Sequence, residues 1–461
     1  MLIRKDRSIP KVFFFFIIVL ILNPQTFVSV ASMSSSSSRV TTTIPLPTAA
    51  IGTEHSLIIH HFKPQLGDDA GNDGTGKAYI QSSLHADELP GLLVARQLIK
   101  LLEEASLQGR IAKDIVIVPY ANPIGLSQNL LNSHLGRFNL ATGTNFNRGF
   151  DDVTDAVAKR VKDKLRPSDG TKNTQLIREA MLQELGCQSV NEADFDNSMA
   201  PSPVEPISLE KSLKQLLLRT ACDADIVLDL HCDSDALLHM YTHDRLWPDL
   251  ADLCAFLGSE CQILDADSGG GCFDESCSGP WAKLAELFPK FPIPMACQST
   301  TVELRGQSEV NTTTAAADAQ ALFAFLQYRG FIRALPPAPV TATTTAATTA
   351  TTTLPAAAIP SPPPLKREAT PLTGVDMIKA PHAGVLSWLV NVGEEVGEGQ
   401  ILGHVVNITD PFADPTPLLS RTTGVVYGRL AHHLAIPGLI VIKVAGKKPL
   451  PWRTGYLLTS R

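Results

Sequence analysis

Two histidines and one glutamate are spaced in this sequence like the ligands of a catalytic metal ion. His85 and Glu88 stand three residues apart in the segment His-Ala-Asp-Glu, and His231 follows the β-rich run Asp225 to Leu230. Two imidazoles and one carboxylate that leave a fourth position open form a frequent catalytic zinc set. A lone histidine of this kind is more often a structural residue, so the prediction depends on all three. We expect one zinc ion per chain and a hydrolytic reaction with metal-activated water.

These ligands can meet only if the elements that carry them end at the same edge of a sheet. His85 follows the β-rich run Ala78 to Leu84, just as His231 follows Asp225 to Leu230. The carboxyl ends of strands form the ligand-binding edge of open α/β sheets. A turn after a strand can direct His85 and Glu88 to one point, whereas a continuing strand would send them to opposite faces.

The body of the chain alternates β-rich runs with helical patterns. Asp114 to Tyr120 and Ser299 to Leu304 predict two further buried strands. Pro90 precedes the helical pattern of Gly91 to Glu104, and Leu209 to Leu218 predicts a second helix. This alternation predicts an α/β fold with a largely parallel sheet flanked by helices on both faces.

Composition divides the chain into five parts. Basic residues precede the apolar run Val12 to Leu22, and small residues follow it, which is the order of a secretory signal. No charged residue lies between Arg333 and Lys366, where Thr, Ala and Pro predominate. The predicted parts are a signal peptide (1–31), a Ser/Thr-rich leader (32–50), a zinc hydrolase catalytic domain (51–333), a Thr/Ala/Pro-rich linker (334–371) and a C-terminal β domain (372–461).

The signal sequence predicts entry into the secretory pathway and an extracellular or lumenal location. A signal anchor kept in the membrane, and an organelle reached through a transit sequence behind the signal, are the alternatives. The formal net charge of −7 gives no reason to expect a nucleic-acid partner. No membrane partner is expected once the signal has been cleaved. The eight cysteines suit an oxidising compartment, and we expect mostly buried thiols with one or two disulfides.

Four motifs in the body resemble the succinylglutamate desuccinylase/aspartoacylase family, which belongs to the zinc carboxypeptidase superfamily. The motifs are His85-Ala86-Asp87-Glu88, Gly136-Arg137-Phe138 through Asn145-Phe146-Asn147-Arg148, Leu228-Asp229-Leu230-His231 and Thr301-Val302-Glu303-Leu304-Arg305-Gly306. The resemblance implies a zinc-carboxypeptidase-like mixed sheet. It also implies a zinc-dependent deacylase that hydrolyses an amide or ester bond of an N-acyl amino acid or a similar small carboxylate.

The same resemblance gives roles to the residues of these motifs. His85, Glu88 and His231 would bind the zinc ion. Glu303 would act as general base and then as general acid, taking a proton from the attacking water and passing it to the leaving group. Arg137 would stabilise the oxyanion that develops on the substrate carbonyl.

Substrate recognition is implied for Asn147 and Arg148, which would bind a carboxylate of a small-molecule substrate. The chain departs from the family pattern at two nearby positions: Ala86 stands where relatives often have Gly, and Asn145 where they often have Asp. An Asn can accept a hydrogen bond from a zinc-binding histidine but brings no charge. The departure at Asn145 therefore leaves the metal affinity open.

The C-terminal part resembles a biotinyl/lipoyl-type β-sandwich. Lys379 to Leu386 and the segments that follow resemble its first half, and Thr423 to Val444 could form the second. The hairpin lysine that carries the cofactor in such domains is missing from Val405 to Asp410. We therefore expect neither biotin nor lipoate on this domain, and a role as a structural lid or assembly surface.

Two other functions are compatible with parts of this sequence. A zinc carboxypeptidase that acts on peptide C-termini would also use Asn147 and Arg148, and it would need an open groove. A secreted binding module with a degenerate site is the alternative without catalysis. Such a module would have no need of the carboxylate of Glu303.

Overall fold

The computed structural model describes residues 37–48, 50–65, 75–186, 208–335 and 358–458. The predicted signal peptide, Cys187 and most of the predicted linker lie outside these residues. In the described residues, no helix is both long and apolar enough to cross a membrane.

The described residues form the following strands and helices. The strands of the body are β1 (Arg39–Pro45), β2 (Ser56–Phe62), β3 (Lys77–Ser82), β4 (Asp114–Val118), β5 (Asn129–Leu130), β6 (Ser133–His134), β7 (Ile226–Asp233), β8 (Asp235–Ala236), β9 (His239–His243), β10 (Cys261–Asp265), β11 (Gln298–Gly306) and β12 (Thr370–Pro371). The helices are α1 (Pro90–Leu107), α2 (Pro123–Leu126), α3 (Thr154–Val161), α4 (Gly170–Glu184), α5 (Leu209–Ala221), α6 (Ala251–Leu257), α7 (Phe273–Leu287) and α8 (Thr312–Tyr328). The C-terminal strands are β13 (Val375–Lys379), β14 (Gly384–Trp388), β15 (Glu395–Val396), β16 (Ile401–Val406), β17 (Thr416–Leu419), β18 (Gly424–Arg429), β19 (Leu434–Ala435) and β20 (Ile440–Gly446).

One large sheet organises the body of the protein. Its order, in the described part of the chain, is β1-β2-β4-β3-β7-β11-β9-β10-β12. The pairs β3/β4, β3/β7, β7/β11, β9/β10 and β10/β12 are parallel, and the remaining pairs are antiparallel. The mixed, largely parallel α/β sheet expected from the sequence is therefore confirmed.

Helices cover both faces of this sheet because its strands are apolar on both sides. In β3, Tyr79 packs into the core that includes α3, α4, α5 and α7. Its neighbours Ala78 and Ile80 pack into the opposite core, with α1, α6 and α8. Full burial of one large apolar side chain contributes about 1.5–3 kcal/mol, so the two cores hold the sheet firmly between the helices.

The body of the protein extends further in both directions than composition suggested. β1 lies in the predicted leader, yet it pairs with β2 from Arg39 opposite Phe62 to Pro45 opposite Ser56. The prediction of a leader over residues 32–50 is therefore wrong for this segment, whose Val and Thr residues suit an edge strand. β12 lies in the predicted linker and pairs with β10, Thr370 opposite Ile263.

The C-terminal domain consists of two antiparallel sheets packed face to face. One has the order β13-β20-β18-β15 and the other β17-β16-β14-β19. Apolar side chains such as Leu402 and Ile442 fill the space between them. The outer face of the first sheet, including Tyr427, packs on Cys261 and Ile263 of β10. The C-terminal domain is thus attached to the edge of the main sheet.

The cysteines behave as small buried side chains. All seven that lie in the described residues are buried, and Cys232, Cys254, Cys261, Cys272, Cys277 and Cys297 are free. The prediction of one or two disulfides is therefore wrong for these six. Burial raises the pKa of Cys254 and Cys261 to about 12, which keeps both thiols protonated.

Candidate active site

His85, Glu88 and His231 lie together at the carboxyl edge of the main sheet. Their potential ligand atoms all lie within 4.8 Å of one another. Nδ1 of His85 lies 3.0 Å from Oε1 of Glu88, and Nδ1 of His231 lies 2.8 Å from Oε2. The three side chains are buried. The geometry places these residues where strand-end reasoning expected them.

A second loop, which contains Gly136, contacts the turn that carries His85 and Glu88. The backbone N–H of Ala86 donates to the carbonyl of Gly136 over 3.0 Å. A Cβ atom at Gly136 would lie only 2.3 Å from the backbone nitrogen of Asp87. Only glycine permits this close approach, so the loop before Arg137 fixes the shape of the ligand turn.

A hydrogen bond on the far side of each ring sets the orientation of the two histidines. Nε2 of His85 lies 2.8 Å from Oδ1 of Asn145, and Nε2 of His231 lies 2.8 Å from Oδ2 of Asp229. The Oδ1 atom of Asn145 also accepts from the backbone N–H of Asn147, so it must be an acceptor toward His85. The His85 ring therefore donates from Nε2 and keeps a lone pair on Nδ1.

The electrostatics of this cluster favour a bound cation. Burial and the nearby Arg137 lower the pKa of His85 to about 4, so the ring is neutral at pH 7. Burial alone would lower the pKa of His231, but the carboxylates of Asp229 and Glu88 raise it well above its usual value. A positive charge between His231 and Glu88 is thus strongly favoured. Two imidazoles and a carboxylate are the donors that zinc prefers, so the residues fit a zinc ion.

Arg137 reaches this cluster from the solvent side. Its Nη1 atom donates to Oε1 of Glu88 over 3.0 Å and lies 3.1 Å from Nδ1 of His85. The side chain is 45% exposed, so the guanidinium is held by these contacts rather than by packing. Its position suits a cation that stabilises negative charge next to the ligands.

Glu303 lies on the strand next to His231. The two residues are partners in the parallel register of β7 and β11, so their side chains share one face of the sheet. Oε2 of Glu303 is enclosed, and no hydrogen-bond partner for it occurs in the described ranges. Burial and the carboxylate of Glu88 raise the pKa of Glu303 to about 8. Glu303 is therefore a carboxyl group with one free oxygen beside the ligand cluster.

Asn147 also lies beside the ligand cluster. Its Nδ2 atom is 3.5 Å from Nε2 of His231, and its Oδ1 atom accepts from the backbone N–H of Phe273 over 2.8 Å. The side chain is buried. The start of α7 therefore fixes the amide group of Asn147 next to His231.

Arg148 is directed toward the C-terminal end of the described chain. Arg148 donates from Nη1 to the carbonyl of Asn147 and from Nη2 to the carbonyl of Leu458, the latter over 2.9 Å. A Cβ atom at Gly270 would lie 2.6 Å from Cδ of Arg148, so this loop needs a glycine to let the side chain pass. The guanidinium thus contacts protein carbonyls at the position where a substrate carboxylate was expected.

Sequence reasoning overlooked the buried residues that support His231. Gln81 donates from Nε2 to Oδ1 of Asp229 over 2.9 Å, and Tyr79 donates to Oε1 of Gln81 over 2.8 Å. Asp229 stands two residues before His231 on the same strand. Because strand side chains alternate, that spacing alone places Asp229 on the face of His231.

Replacing Asp229 by Asn is expected to weaken zinc binding by about 10- to 100-fold, the usual cost of losing a residue that orients a metal ligand. The amide could accept from His231 only by giving up its bond from Gln81, and it carries no charge. Competition with a chromogenic chelator measures the affinity. Asp223→Asn is the matched control, because Asp223 pairs with Lys77 away from the cluster. Equal affinities of the Asp229 and Asp223 variants would show that Asp229 has no such role.

Comparison with known proteins agrees with the motifs and the fold. Residues 75–185 match the family described as succinylglutamate desuccinylase/aspartoacylase catalytic domain. No curated protein sequence matched the chain.

Several solved structures share the fold over nearly the whole chain. A candidate succinylglutamate desuccinylase/aspartoacylase from Shewanella frigidimarina is 23% identical, with a TM-score of 0.69 over 89% of this chain and 98% of that one. A candidate protein of the same family from Shewanella amazonensis is 25% identical, with a TM-score of 0.68 over 88% and 99%. The ectoine utilization protein EutE from Ruegeria pomeroyi is 15% identical, with a TM-score of 0.55 over 90% and 97%.

Proposed function

We propose, from the match of residues 75–185 to the succinylglutamate desuccinylase/aspartoacylase family and from the arrangement of the site, that the protein is a zinc-dependent deacylase. Its substrate would be an N-acyl amino acid or a similar small carboxylate, cleaved at an amide or ester bond. The observation that carries the proposal is the buried cluster of His85, Glu88 and His231, with Glu303 on the neighbouring strand.

The residues around the cluster can each perform one part of the hydrolysis. A zinc ion held by His85, Glu88 and His231 would act as a Lewis acid and lower the pKa of water toward neutrality. Glu303 takes a proton from the attacking water and later gives it to the leaving group. Arg137 donates hydrogen bonds to the negative charge that develops on the carbonyl oxygen.

The positions of Arg137 and Glu303 suggest how the substrate lies. Arg137 contacts His85 and Glu88, whereas Glu303 is the register partner of His231. The two groups therefore flank the ligand cluster from different sides. We infer that the carbonyl oxygen faces Arg137 and that the leaving group faces Glu303.

A turnover screen tests this function. Purified protein loaded with zinc is offered a panel of N-acyl amino acids, their ester analogues and peptides with free C-termini, with and without a chelator. We expect chelator-sensitive release of the acyl group from at least one N-acyl amino acid. Preferential release of C-terminal residues from peptides would favour a carboxypeptidase, and no turnover of any kind would favour a binding module.

The substrate carboxylate is proposed to bind Asn147 and Arg148. For Arg148, binding would exchange the bond to Leu458 for a bond to the substrate. Arg148→Gln is expected to raise KM by about 10- to 100-fold with little change in kcat, because a hydrogen bond to a charged group contributes about 1.5–3 kcal/mol. The variant is compared on the best substrate and on its carboxamide, which lacks the charge. A similar rise in KM for both compounds would contradict a carboxylate contact at Arg148.

For the N-terminal and C-terminal regions, the proposals rest on the sequence. The signal sequence supports a secreted or lumenal location. The loop between β16 and β17 contains no lysine, which supports a C-terminal domain without biotin or lipoate. We propose that this domain serves the catalytic domain structurally.

A further inference from the structure

The strand that carries His231 has polar residues at every second position. Asp229, His231, Asp233 and Asp235 alternate with Leu230, Cys232 and Ser234 along β7 and β8. Because side chains alternate along a strand, Asp229, His231 and Asp233 belong to one face of β7, and Asp235 follows on β8 after the bend at Ser234. Asp229 orients His231, which leaves Asp233 and Asp235 without a role in the site.

The end of this strand pairs with the body along one of its two sides. The register of β7 with β3 ends where Leu230 pairs with Ser82, one residue before His231. On the other side, the register with β11 shifts between Glu303 and Gly306 and resumes where Gly306 pairs with Asp233. In the described strands, β7 beyond Leu230 therefore keeps its pairing with β11 but not with β3.

The C-terminal domain adds contacts at this end of β7. Lys443 of β20 forms an ion pair with Asp233, and Arg429 of β18 donates from Nε to Oδ2 of Asp235 over 2.8 Å. β8 pairs with β18, Ala236 opposite Gly428. The two aspartates that follow His231 therefore each meet a cation from the C-terminal domain.

Asp233 and Lys443 are both largely enclosed. Their side chains are only 19% and 21% exposed. Oδ2 of Asp233 lies 4.0 Å from Nε2 of His239, the register partner of Glu303 on β9. Asp233 thus lies on the same strand as His231 and contacts both Lys443 of the C-terminal domain and His239 of β9.

We propose that the C-terminal domain completes the catalytic site by holding the end of β7 through Lys443 and Arg429. Both are positioning residues, because they act through Asp233 and Asp235 and not on the substrate. Removal of Lys443 leaves a largely buried carboxylate without its partner, which is strongly unfavourable. The end of β7 then moves to expose Asp233, and His231 moves with it. The inference rests on the zinc site of the proposed function.

The test compares Lys443→Met with Lys447→Met in the full-length chain. Lys447 is a matched control, because it lies on the same domain, is 83% exposed and pairs with an equally exposed Glu368. Lys443→Met is expected to lower the zinc affinity about 10- to 100-fold, as for other residues that orient a metal ligand. kcat at saturating zinc should fall as well, and Lys447→Met should leave both unchanged. Lys443→Arg keeps the charge, so its zinc affinity and kcat should be close to those of wild type.

A purely structural role for Lys443 gives a different result. It predicts a lower melting temperature for Lys443→Met but unchanged zinc affinity and kcat in the folded protein, and this outcome overturns the proposal. If Lys443→Met does not fold, the double variant Asp233→Asn/Lys443→Met decides, because it leaves no unpaired charge but still lacks the ion pair that holds the end of β7 to the C-terminal domain, so its zinc affinity should also be lower. Normal zinc affinity in the double variant also overturns the proposal. A wild-type protein that binds no zinc would instead overturn the proposed function.

Discussion

Glu303→Gln is expected to lower kcat by about 10²–10⁴-fold, the usual contribution of general acid–base catalysis. Glutamine has nearly the same size and still offers a hydrogen-bonding oxygen, but it cannot take a proton from water. The deficit should appear in kcat and not in KM, because the proposed carboxylate contacts belong to Asn147 and Arg148. Steady-state kinetics on the best substrate of the screen measures both constants.

Zinc content separates this result from simple damage to the site. In the described residues, the cluster of potential ligands contains His85, Glu88 and His231 but not Glu303. Glu303→Gln should therefore bind as much zinc as wild type. Glu309→Gln is the matched control, because Glu309 is exposed and lies six residues further along the same segment. Loss of zinc from Glu303→Gln would make Glu303 a ligand, and unchanged kcat would make it a structural carboxylate.

The environment of Glu303 explains why it suits both steps of the reaction. Burial and Glu88 raise the pKa of its carboxyl to about 8, so it keeps a proton more readily than an exposed glutamate. A group that takes a proton and then returns it works best with a pKa near the working pH. Oε2 of Glu303 has no partner in the described residues, so no protein donor occupies the oxygen that would accept the proton.

The sequence was sufficient for the parts of the site that depend on local geometry. His85 and Glu88 share one turn, and His231 lies near the carboxyl end of one buried strand, so strand-end reasoning was enough to bring them together. Asp229 could have been found in the same way, from its spacing of two before His231. Such inferences succeed because side-chain direction within a turn or strand is fixed by the backbone.

Contacts between distant segments could not be read from local patterns. Lys443 and its partner Asp233 are 210 residues apart, and Arg148 and Leu458 are 310 residues apart. The strand β1 was missed for a related reason: its Thr-rich sequence forms a strand only because β2 is available to pair with it. In each case tertiary packing determines which segment or residue is the partner, and the composition of a single segment does not show this.

His231→Ala is expected to remove nearly all zinc from the purified protein. Zinc sites of four ligands bind with about 10–16 kcal/mol at neutral pH, which is ~3 kcal/mol for each ligand position. Loss of one ligand should therefore weaken binding by at least about 100-fold. Atomic absorption after extensive dialysis should find about one zinc per chain in wild type and far less in the variant.

The carboxylates of the vacated site act against this effect but do not replace the lost ligand. Without the His231 ring, Oε2 of Glu88 retains the backbone N–H of Cys232 as a donor but loses the imidazole that lies 2.8 Å away. Asp229 at the same time loses the group it orients, so both buried carboxylates have less compensation, which favours a cation but supplies no nitrogen ligand. His432→Ala is the control, because His432 is an exposed histidine of the C-terminal domain. Equal zinc in the two variants would remove His231 from the site, and the proposed deacylase would then lack its third ligand.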